Sequence, residues 1–141
     1  MIPVAPDGAL DWSELREELP ARVGALLAPG TAVLVTGGAG FIGSHLTEAL
    51  LALGCRVTGV DSLTDYYDPD QKRANLARSR GHPDFCLRAE DLNDLDAEQL
   101  LRGSRVCFHL AAQAGVRASW GAEFTRYLDW NVLATQRLLE A

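Results

Sequence analysis

The chain has 141 residues, of which 48% are hydrophobic and 23% charged, a balance typical of one globular domain. Its formal net charge is −6 and its basic residues never form a run, which argues against nucleic acid or an anionic membrane surface as a partner. The N-terminus has no basic region and no long apolar stretch, so we expect neither a signal peptide nor a membrane span. We therefore expect a cytoplasmic protein.

Residues 1–30 precede the first strand pattern and are predicted to form an N-terminal helical extension. Apolar side chains recur at helical spacing from Trp12 to Leu19, Asp11 is placed to cap that helix, and Pro20 interrupts it. The pattern predicts a broken amphipathic helix packed on the domain. A partner-binding role for this extension is the alternative.

From Thr31 onward, the pattern alternates between strand and helix. The predicted strands are TAVLVT (31–36), CRVTGV (55–60), DFCLRAED (84–91) and RVCFHLAA (105–112). Such alternation predicts an α/β fold with right-handed crossovers, a Rossmann-type doubly wound parallel sheet in the order 3-2-1-4. We expect residues 31–141 to form this unit.

Helices are predicted after each strand, from apolar residues that recur on one face. The helix after the first strand places Ile42, Leu46, Ala49, Leu50 and Leu53 on one face and ends at Gly54. The second is QKRANLARSR, ending near Gly81, and the third is DLDAEQLLRG. The last begins near Ala122 and its predicted buried face is Phe124, Leu128, Val132, Thr135 and Leu139.

The three cysteines lie far apart and show no paired spacing. Cys55, Cys86 and Cys107 each stand in or beside an apolar run, which predicts reduced, buried thiols rather than a disulfide framework. The three histidines share no ligand spacing either. We therefore predict no metal site.

The stretch VTGGAGFIGSH has the pattern G-x-G-x-x-G between a predicted strand and a predicted helix. A helix N-terminus offers unpaired N–H groups and partial positive charge to an anion. A pyrophosphate can approach only if the turn carries no Cβ atoms in its path, which Gly37, Gly38, Gly40 and Gly43 ensure. The pattern therefore predicts a dinucleotide site.

Asp61 ends the second predicted strand, 18 residues after Gly43. A carboxylate there can accept the hydroxyl protons of an adenosine ribose. A 2′-phosphate about 4 Å away would be repelled by roughly 1–4 kcal/mol at surface-like dielectric. The sequence therefore favours NAD over NADP.

The motifs VTGGAGFIGSHL, VDSLTDYYDPDQKRANL, EDL, HLAAQAGVR and NVLATQRLLEA together resemble the extended short-chain dehydrogenase/reductase family. Within that family the combination of DYYD…KR with AAQAGVR is most similar to the UDP-glucuronate 4-epimerase branch. The resemblance covers residues 31–141 and implies that they are an incomplete NAD-binding segment that ends after the fourth strand and its helix, without a substrate domain. It implies NAD as cofactor and a UDP-sugar as partner of the complete enzyme.

The resemblance also implies roles for individual residues. Residues at the pyrophosphate would be Gly37, Gly40, Phe41 and Ile42. Those at the adenosine would be Asp61 and Ser62 for the ribose, and Asp91 and Leu92 for the adenine. Leu110, Ala111 and Ala112 would lie under the nicotinamide, and Asn131 would support an active-site lysine. Arg117 is a candidate for a substrate carboxylate or phosphate, because its planar fork suits such anions.

One departure from the family pattern concerns catalysis. Such an epimerase oxidises the sugar at C4 and reduces it again, using bound NAD and a Tyr-x-x-x-Lys pair. The chain contains no such pair, since Lys72 is its one lysine and follows no tyrosine by four residues. We therefore predict no catalytic residue here and expect this chain alone to be inactive.

Three alternatives stay open: a nucleotide-sugar 4,6-dehydratase, a decarboxylase of the same superfamily, or a noncatalytic NAD-binding or interaction module. Whichever holds, an open edge on the fourth strand predicts a homo-oligomer.

Overall fold

The computed structural model describes residues 3–4, 8, 10–66, 68–115 and 119–141. Its centre is a four-stranded parallel sheet in the order β3-β2-β1-β4. The strands are β1 (Ala32–Thr36), β2 (Arg56–Val60), β3 (Phe85–Arg88) and β4 (Val106–His109). This order confirms the predicted Rossmann-type fold, and it leaves β3 and β4 at the two edges.

The helices are α1 (Leu15–Glu18), α2 (Ala21–Leu26), α3 (Phe41–Ala52), α4 (Pro69–Asn75), α5 (Ala97–Leu101), α6 (Phe124–Tyr127) and α7 (Ala134–Glu140). Short 3₁₀ turns lie at Leu92–Asp94 and Gly121–Glu123. A π-helical turn, Leu128–Leu133, joins α6 to α7, so the last predicted helix is continuous but changes its winding. Within the described residues, no helix combines the length and apolarity needed to cross a bilayer.

One buried cluster lies between the sheet and α3, and a second, which contains Leu34 of β1, lies on the opposite face. Val33 of β1 pairs with Val57 of β2 on one side and with Val106 of β4 on the other. Val33, Val57 and Leu50 of α3 belong to one buried cluster. A short run of β-branched residues forms this strand because both of its faces are covered.

Helix α3 ends in a Schellman motif, as its glycine predicts. The Gly54 amide donates to the Leu51 carbonyl at 2.8 Å and the Cys55 amide to the Leu50 carbonyl at 3.0 Å. The predicted apolar face is buried at Leu50 but not at Ile42, which is 68% exposed. Ile42 lies in the first turn and borders a depression beside the N-terminal segment instead of the sheet core.

The N-terminal segment forms two short helices, α1 and α2, separated by Pro20. Leu15 and Leu19 pack against the core cluster, and the Arg16 guanidinium donates to the Leu53 carbonyl at the end of α3. The predicted cap is wrong by one turn, because the Asp11 carboxylate accepts the Ser13 amide and α1 begins only at Leu15.

The last helix buries a different face from the predicted one. Phe124, Leu128, Val132 and Leu139 are exposed, Leu139 to 83%. The buried residues are Tyr127 and Ala134, and Asn131 and Leu138 are half-buried on the same side. The apolar spacing predicted the wrong face. Hydrogen bonds from the side chains of Tyr127 and Asn131 to the segment after β4 set the orientation of this helix.

Two further predictions need correction. Helix α4 begins at Pro69, capped by the Asp68 carboxylate, and ends at Asn75, well before Gly81. The thiols are free, but only Cys55 is buried, while Cys86 and Cys107 are exposed. The last two lie on the edge strands β3 and β4, where one flank of the strand has no neighbouring strand among the described residues. Burial raises the pKa of the Cys55 thiol, which keeps it protonated.

Candidate cofactor-binding site

The glycine-rich turn between β1 and α3 is packed so tightly that side chains cannot be added. A Cβ on Gly37, whose φ is +70°, would lie 2.8 Å from the Ala111 amide nitrogen. A Cβ on Gly43 would lie 2.1 Å from the Gly37 carbonyl oxygen. Glycine is required at these two positions, because each brings two backbone segments into direct contact.

The N-terminus of α3 opens beside this turn. Gly40 is its N-cap residue and, within the described chain, no side chain caps the helix. The first amides of a helix have no acceptor inside it, and the helix dipole adds partial positive charge there. The backbone therefore offers an anion several N–H donors without a blocking Cβ.

Asp61 follows β2 and is buried at the same edge of the sheet. Its Oδ2 accepts the Ala39 amide of the glycine-rich turn at 3.0 Å, and its Oδ1 accepts the Leu63 amide at 2.8 Å. The Lys72 ammonium of α4 donates to Oδ1 at 3.0 Å, so the two side chains form a buried ion pair. The Asn75 amide donates to the Ala39 carbonyl at 3.0 Å and fixes the other side of that peptide.

The ion pair changes the argument for cofactor choice. A carboxylate has about four lone-pair positions, and three on Asp61 are already filled. Asp61 can therefore accept one further hydroxyl without displacing Lys72, not two as its position after the strand suggested. Its charge is also balanced by Lys72, so repulsion of a 2′-phosphate is weaker than for an isolated carboxylate.

A chain of hydrogen bonds ties the ends of β1 and β4 together. Thr36 Oγ1 accepts the two amides that follow His109, each at 3.1 Å, so its own proton is directed to His109 Nδ1 at 2.7 Å. His109 Nε2–H in turn donates to Thr135 Oγ1 at 2.9 Å, because the Thr135 hydroxyl donates to the Asn131 carbonyl at 2.8 Å. Burial lowers the pKa of His109, which favours the neutral tautomer that this chain requires.

Asn131 holds the segment that follows β4. Its Oδ1 accepts the Gln113 amide at 2.6 Å and its Nδ2 donates to the Gln113 carbonyl at 3.1 Å. The Tyr127 hydroxyl donates to the next carbonyl, that of Ala114, at 3.0 Å. These contacts explain why the last helix turns this polar face inward.

One cavity of about 170 Å³ lies where these segments meet. Nine of the predicted site residues line it: Gly37, Gly40, Asp61, Ser62, Asp91, Leu92, Leu110, Ala111 and Ala112. Phe41 and Ile42 stand in the first turn of α3, but their side chains border the second depression. Asn131 does not line the cavity and reaches it only through Gln113, which does. Arg117 lies outside the described residues.

Several lining residues were missed by the sequence patterns. Among them are Lys72, Trp130 and Tyr66. Lys72 could have been predicted, because it is the one lysine of the chain and lies in the short helix that follows Asp61, where it can pair with that carboxylate. Trp130 had no such signal, because its side chain direction depends on the π-helical turn.

The fold and the site together define a Rossmann-type dinucleotide-binding domain. The sequence profile of GDP-mannose 4,6 dehydratase matches residues 34–141, and the chain belongs to this family, which lies within the extended short-chain dehydrogenases/reductases. The resemblance predicted from its motifs is thereby confirmed.

Similar proteins are mainly nucleotide-sugar epimerases. The chain is 46% identical over 110 residues to an uncharacterized UDP-glucose epimerase, YtcB, of Bacillus subtilis, covering 77% of this chain and 35% of that protein. It is 39% identical over 137 residues to UDP-glucuronate 4-epimerase 4 of Arabidopsis thaliana, covering 94% and 30%. The Bacillus cereus UDP-glucuronic acid 4-epimerase, solved with UDP-glucuronic acid and NAD, superposes with a TM-score of 0.74 at 40% identity, covering 78% and 35%. The chain thus spans about a third of the length of these relatives.

Proposed function

We propose that this chain is the NAD-binding portion of a nucleotide-sugar 4-epimerase that acts on a UDP-sugar, UDP-glucuronate being the favoured candidate. The observation that carries the proposal is the convergence of a helix N-terminus without a side-chain cap, a glycine-rich turn and the Asp61–Lys72 pair on one cavity. The similarity to epimerases supports the reaction class.

The residues present fit a dinucleotide. The amides of the first turn of α3 would hold the pyrophosphate, and Gly40, the N-cap residue without a side chain, would let it approach. Asp61 would accept one hydroxyl of the adenosine ribose and Lys72 would donate to its neighbour. Asp91 and Leu92 would border the adenine, and Leu110–Ala112 the nicotinamide.

Bound NAD would supply a reversible hydride acceptor for C4 of the sugar. The part of the chain described here holds and orients that group. Thr36, His109 and Asn131 fix the backbone on which the nicotinamide would rest. We assign no proton-transfer role to any described residue, and Arg117 remains a predicted anion-binding residue.

Calorimetric titration with NAD and NADP tests the cofactor assignment. We expect NAD to bind more tightly than NADP by about tenfold at most, a difference of about 1.4 kcal/mol, because Lys72 balances much of the charge of Asp61. Gly37→Ala should abolish binding, because the added Cβ strikes the 110–111 peptide. Gly24→Ala is the matched control, since nothing lies within 4 Å of its Cβ. A wild-type protein that binds neither nucleotide would overturn the proposal.

A second assay tests the reaction class. The complete gene product is incubated with UDP-glucuronate and the sugar is followed by NMR. Inversion at C4 supports an epimerase and loss of CO₂ supports a decarboxylase, whereas loss of water in a parallel incubation with a nucleotide hexose supports the 4,6-dehydratase alternative, whose name the family profile carries. NAD binding without any of these conversions would indicate a noncatalytic module.

We also propose that the chain self-associates. The β4 edge and the exposed apolar side chains of the last helix support self-association. Light scattering coupled to size exclusion would show a dimer or larger species, and a monomer at high concentration would count against it. Neither nucleic acid nor a membrane is a proposed partner, and a cytoplasmic location is a proposal from sequence alone.

A further inference from the structure

The indole of Trp130, on the π-helical turn, contacts the carboxylate of Asp91 in the wall of the cavity. Trp130 Nε1–H donates to Asp91 Oδ2 at 2.8 Å, while Asp91 Oδ1 accepts the Asn93 amide at 2.8 Å. Trp130 and Asp91 both line the cavity. Since each carboxylate oxygen has its own donor, the group cannot rotate without breaking a hydrogen bond.

The indole itself is held from the side of its own helix. The Arg126 guanidinium carbon lies 5.4 Å from the centroid of the Trp130 ring. Asn93 Nδ2 donates to the Asp129 carbonyl at 2.9 Å, which joins the turn after β3 to the same stretch of helix. These contacts give the ring and the carboxylate one relative position before any ligand arrives.

The π-helical turn lets consecutive residues serve two walls of the cavity. Trp130 contacts Asp91 after β3, and Asn131 contacts Gln113 after β4. Such turns are rare and occur frequently at functional sites. Here the turn couples the two sides of the cavity that the proposed function assigns to adenine and nicotinamide.

An anchored carboxylate has a defined chemical preference. An ionised carboxylate only accepts hydrogen bonds, and two of its roughly four lone-pair positions on Asp91 remain available. They suit a base whose edge carries an exocyclic amine, as adenine does at its 6-position. A base with a carbonyl there, such as hypoxanthine, would place an acceptor against an acceptor.

We propose that Trp130 is a specificity-determining positioning residue, which holds Asp91 so that the site selects a 6-aminopurine dinucleotide over its 6-oxo counterpart. The proposal rests on the proposed function, namely that this cavity binds NAD.

Binding of NAD and nicotinamide hypoxanthine dinucleotide by calorimetry tests it. The wild-type protein should prefer NAD by at least about tenfold, because the 6-oxo group places an acceptor at the position where the fixed carboxylate requires a donor. Trp130→Phe keeps an aromatic ring and removes the N–H, so the preference should fall to about twofold or less. Trp120→Phe is the matched control, because Trp120 is 77% exposed and does not line the cavity. Its preference should equal that of the wild type.

A second variant keeps the test decisive if Trp130→Phe fails to fold. In Asp91→Asn the Asn93 backbone amide, which donates to Oδ1, selects the amide oxygen, so the amide N–H₂ takes the Oδ2 position and faces the indole N–H, donor against donor. The N–H₂ offers a donor to the base, so the hypoxanthine dinucleotide should bind as well as or better than NAD. In the double variant Trp130→Phe/Asp91→Asn the opposing indole N–H is gone, so the reversed preference should be larger than in Asp91→Asn, and an unchanged preference would refute the coupling between the two residues.

The outcomes separate the two proposals. If the wild type binds neither dinucleotide, the proposed function fails and this inference with it. If it binds both equally, or if Trp130→Phe retains the full preference for NAD, the cofactor site stands and the role of Trp130 is refuted. A structural role alone would weaken both dinucleotides in parallel and leave their ratio unchanged.

Discussion

The first β–α–β unit and the last helix solve the same packing problem in different ways. In the first unit, β1, α3 and β2 bury apolar residues such as Leu50 and Val33 against one another. The last helix leaves Phe124 and Leu139 exposed and turns toward the domain the residues that bond to backbone groups. Apolar spacing alone therefore predicts the buried face only where no polar side chain has a backbone partner to satisfy.

The physical reason lies in the carboxyl edge of the sheet. The segment after β4 is irregular, so its amides and carbonyls lack strand partners and would be costly to bury unpaired. Asn131 and Tyr127 supply those partners. The side chains of α3 need not do so, because the backbones of β1 and β2 pair with each other. A helix beside a binding cleft thus contributes hydrogen bonds where a helix beside the core contributes packing.

The largest effect is expected in the first unit, at the buried ion pair. Asp61→Asn should lower the free energy of unfolding by about 3–5 kcal/mol, since Lys72 loses its carboxylate while still buried. It should also narrow the difference between NAD and NADP binding. Denaturant unfolding and calorimetry measure the two effects. Asp65→Asn, at an exposed position of the same loop, is the control and should change neither. Unaltered stability in Asp61→Asn would show that the pair does not form.

A comparison of two leucines tests the packing difference directly. Leu50→Ala should cost about 2–5 kcal/mol of unfolding free energy, because Leu50 is 1% exposed in the core cluster. Leu139→Ala, on the last helix, should change it by about 0.5 kcal/mol or less at a concentration where light scattering shows a monomer. Urea unfolding curves measure both. Equal losses would mean that the last helix is packed against another surface in solution.

Asn131→Ala should affect the cavity more than the core. It leaves the Gln113 amide and carbonyl without their side-chain partner, at a cost of about 1–3 kcal/mol. NAD affinity should fall in parallel, because the segment after β4 borders the cavity. Gln136→Ala, on the exposed face of α7, is the control. Retained affinity for NAD would separate the Asn131 contact from the binding site.

The smallest effect concerns pH. Burial lowers the pKa of His109 below its ordinary 6.5, so the unfolded chain binds the proton more readily than the folded one. The stabilisation is complete above pH 6.5 and is lost as the pH falls through the folded pKa. His109→Gln can accept from Thr36 and donate to Thr135 without titrating, so its stability should depend less on pH below about 6.5. Thermal melts across this pH range measure the effect. If the melting temperatures of the wild type and His109→Gln fall equally with pH, His109 is not a source of the pH dependence.

Local patterns were sufficient for the first unit, whereas most of the cavity residues were implied by the family resemblance. A β-branched run, a glycine-rich turn and an acidic residue at the end of the next strand depend on short-range rules of sterics and of hydrogen bonding. They predicted the parallel sheet and its order, and nine of the predicted residues share one cavity. The motifs also identified the family correctly.

The tertiary structure decided what lies between those residues. It paired Asp61 with Lys72, turned the last helix by hydrogen bonds to the segment after β4, and brought Trp130 to Asp91 through a π-helical turn. Each depends on groups 11 to 39 positions apart, whose separation is set by packing and not by any repeat in the sequence. The amino-acid order thus determined the architecture and the class of ligand, because those follow from neighbouring residues. The charge balance and orientation of the site were determined only when distant segments met.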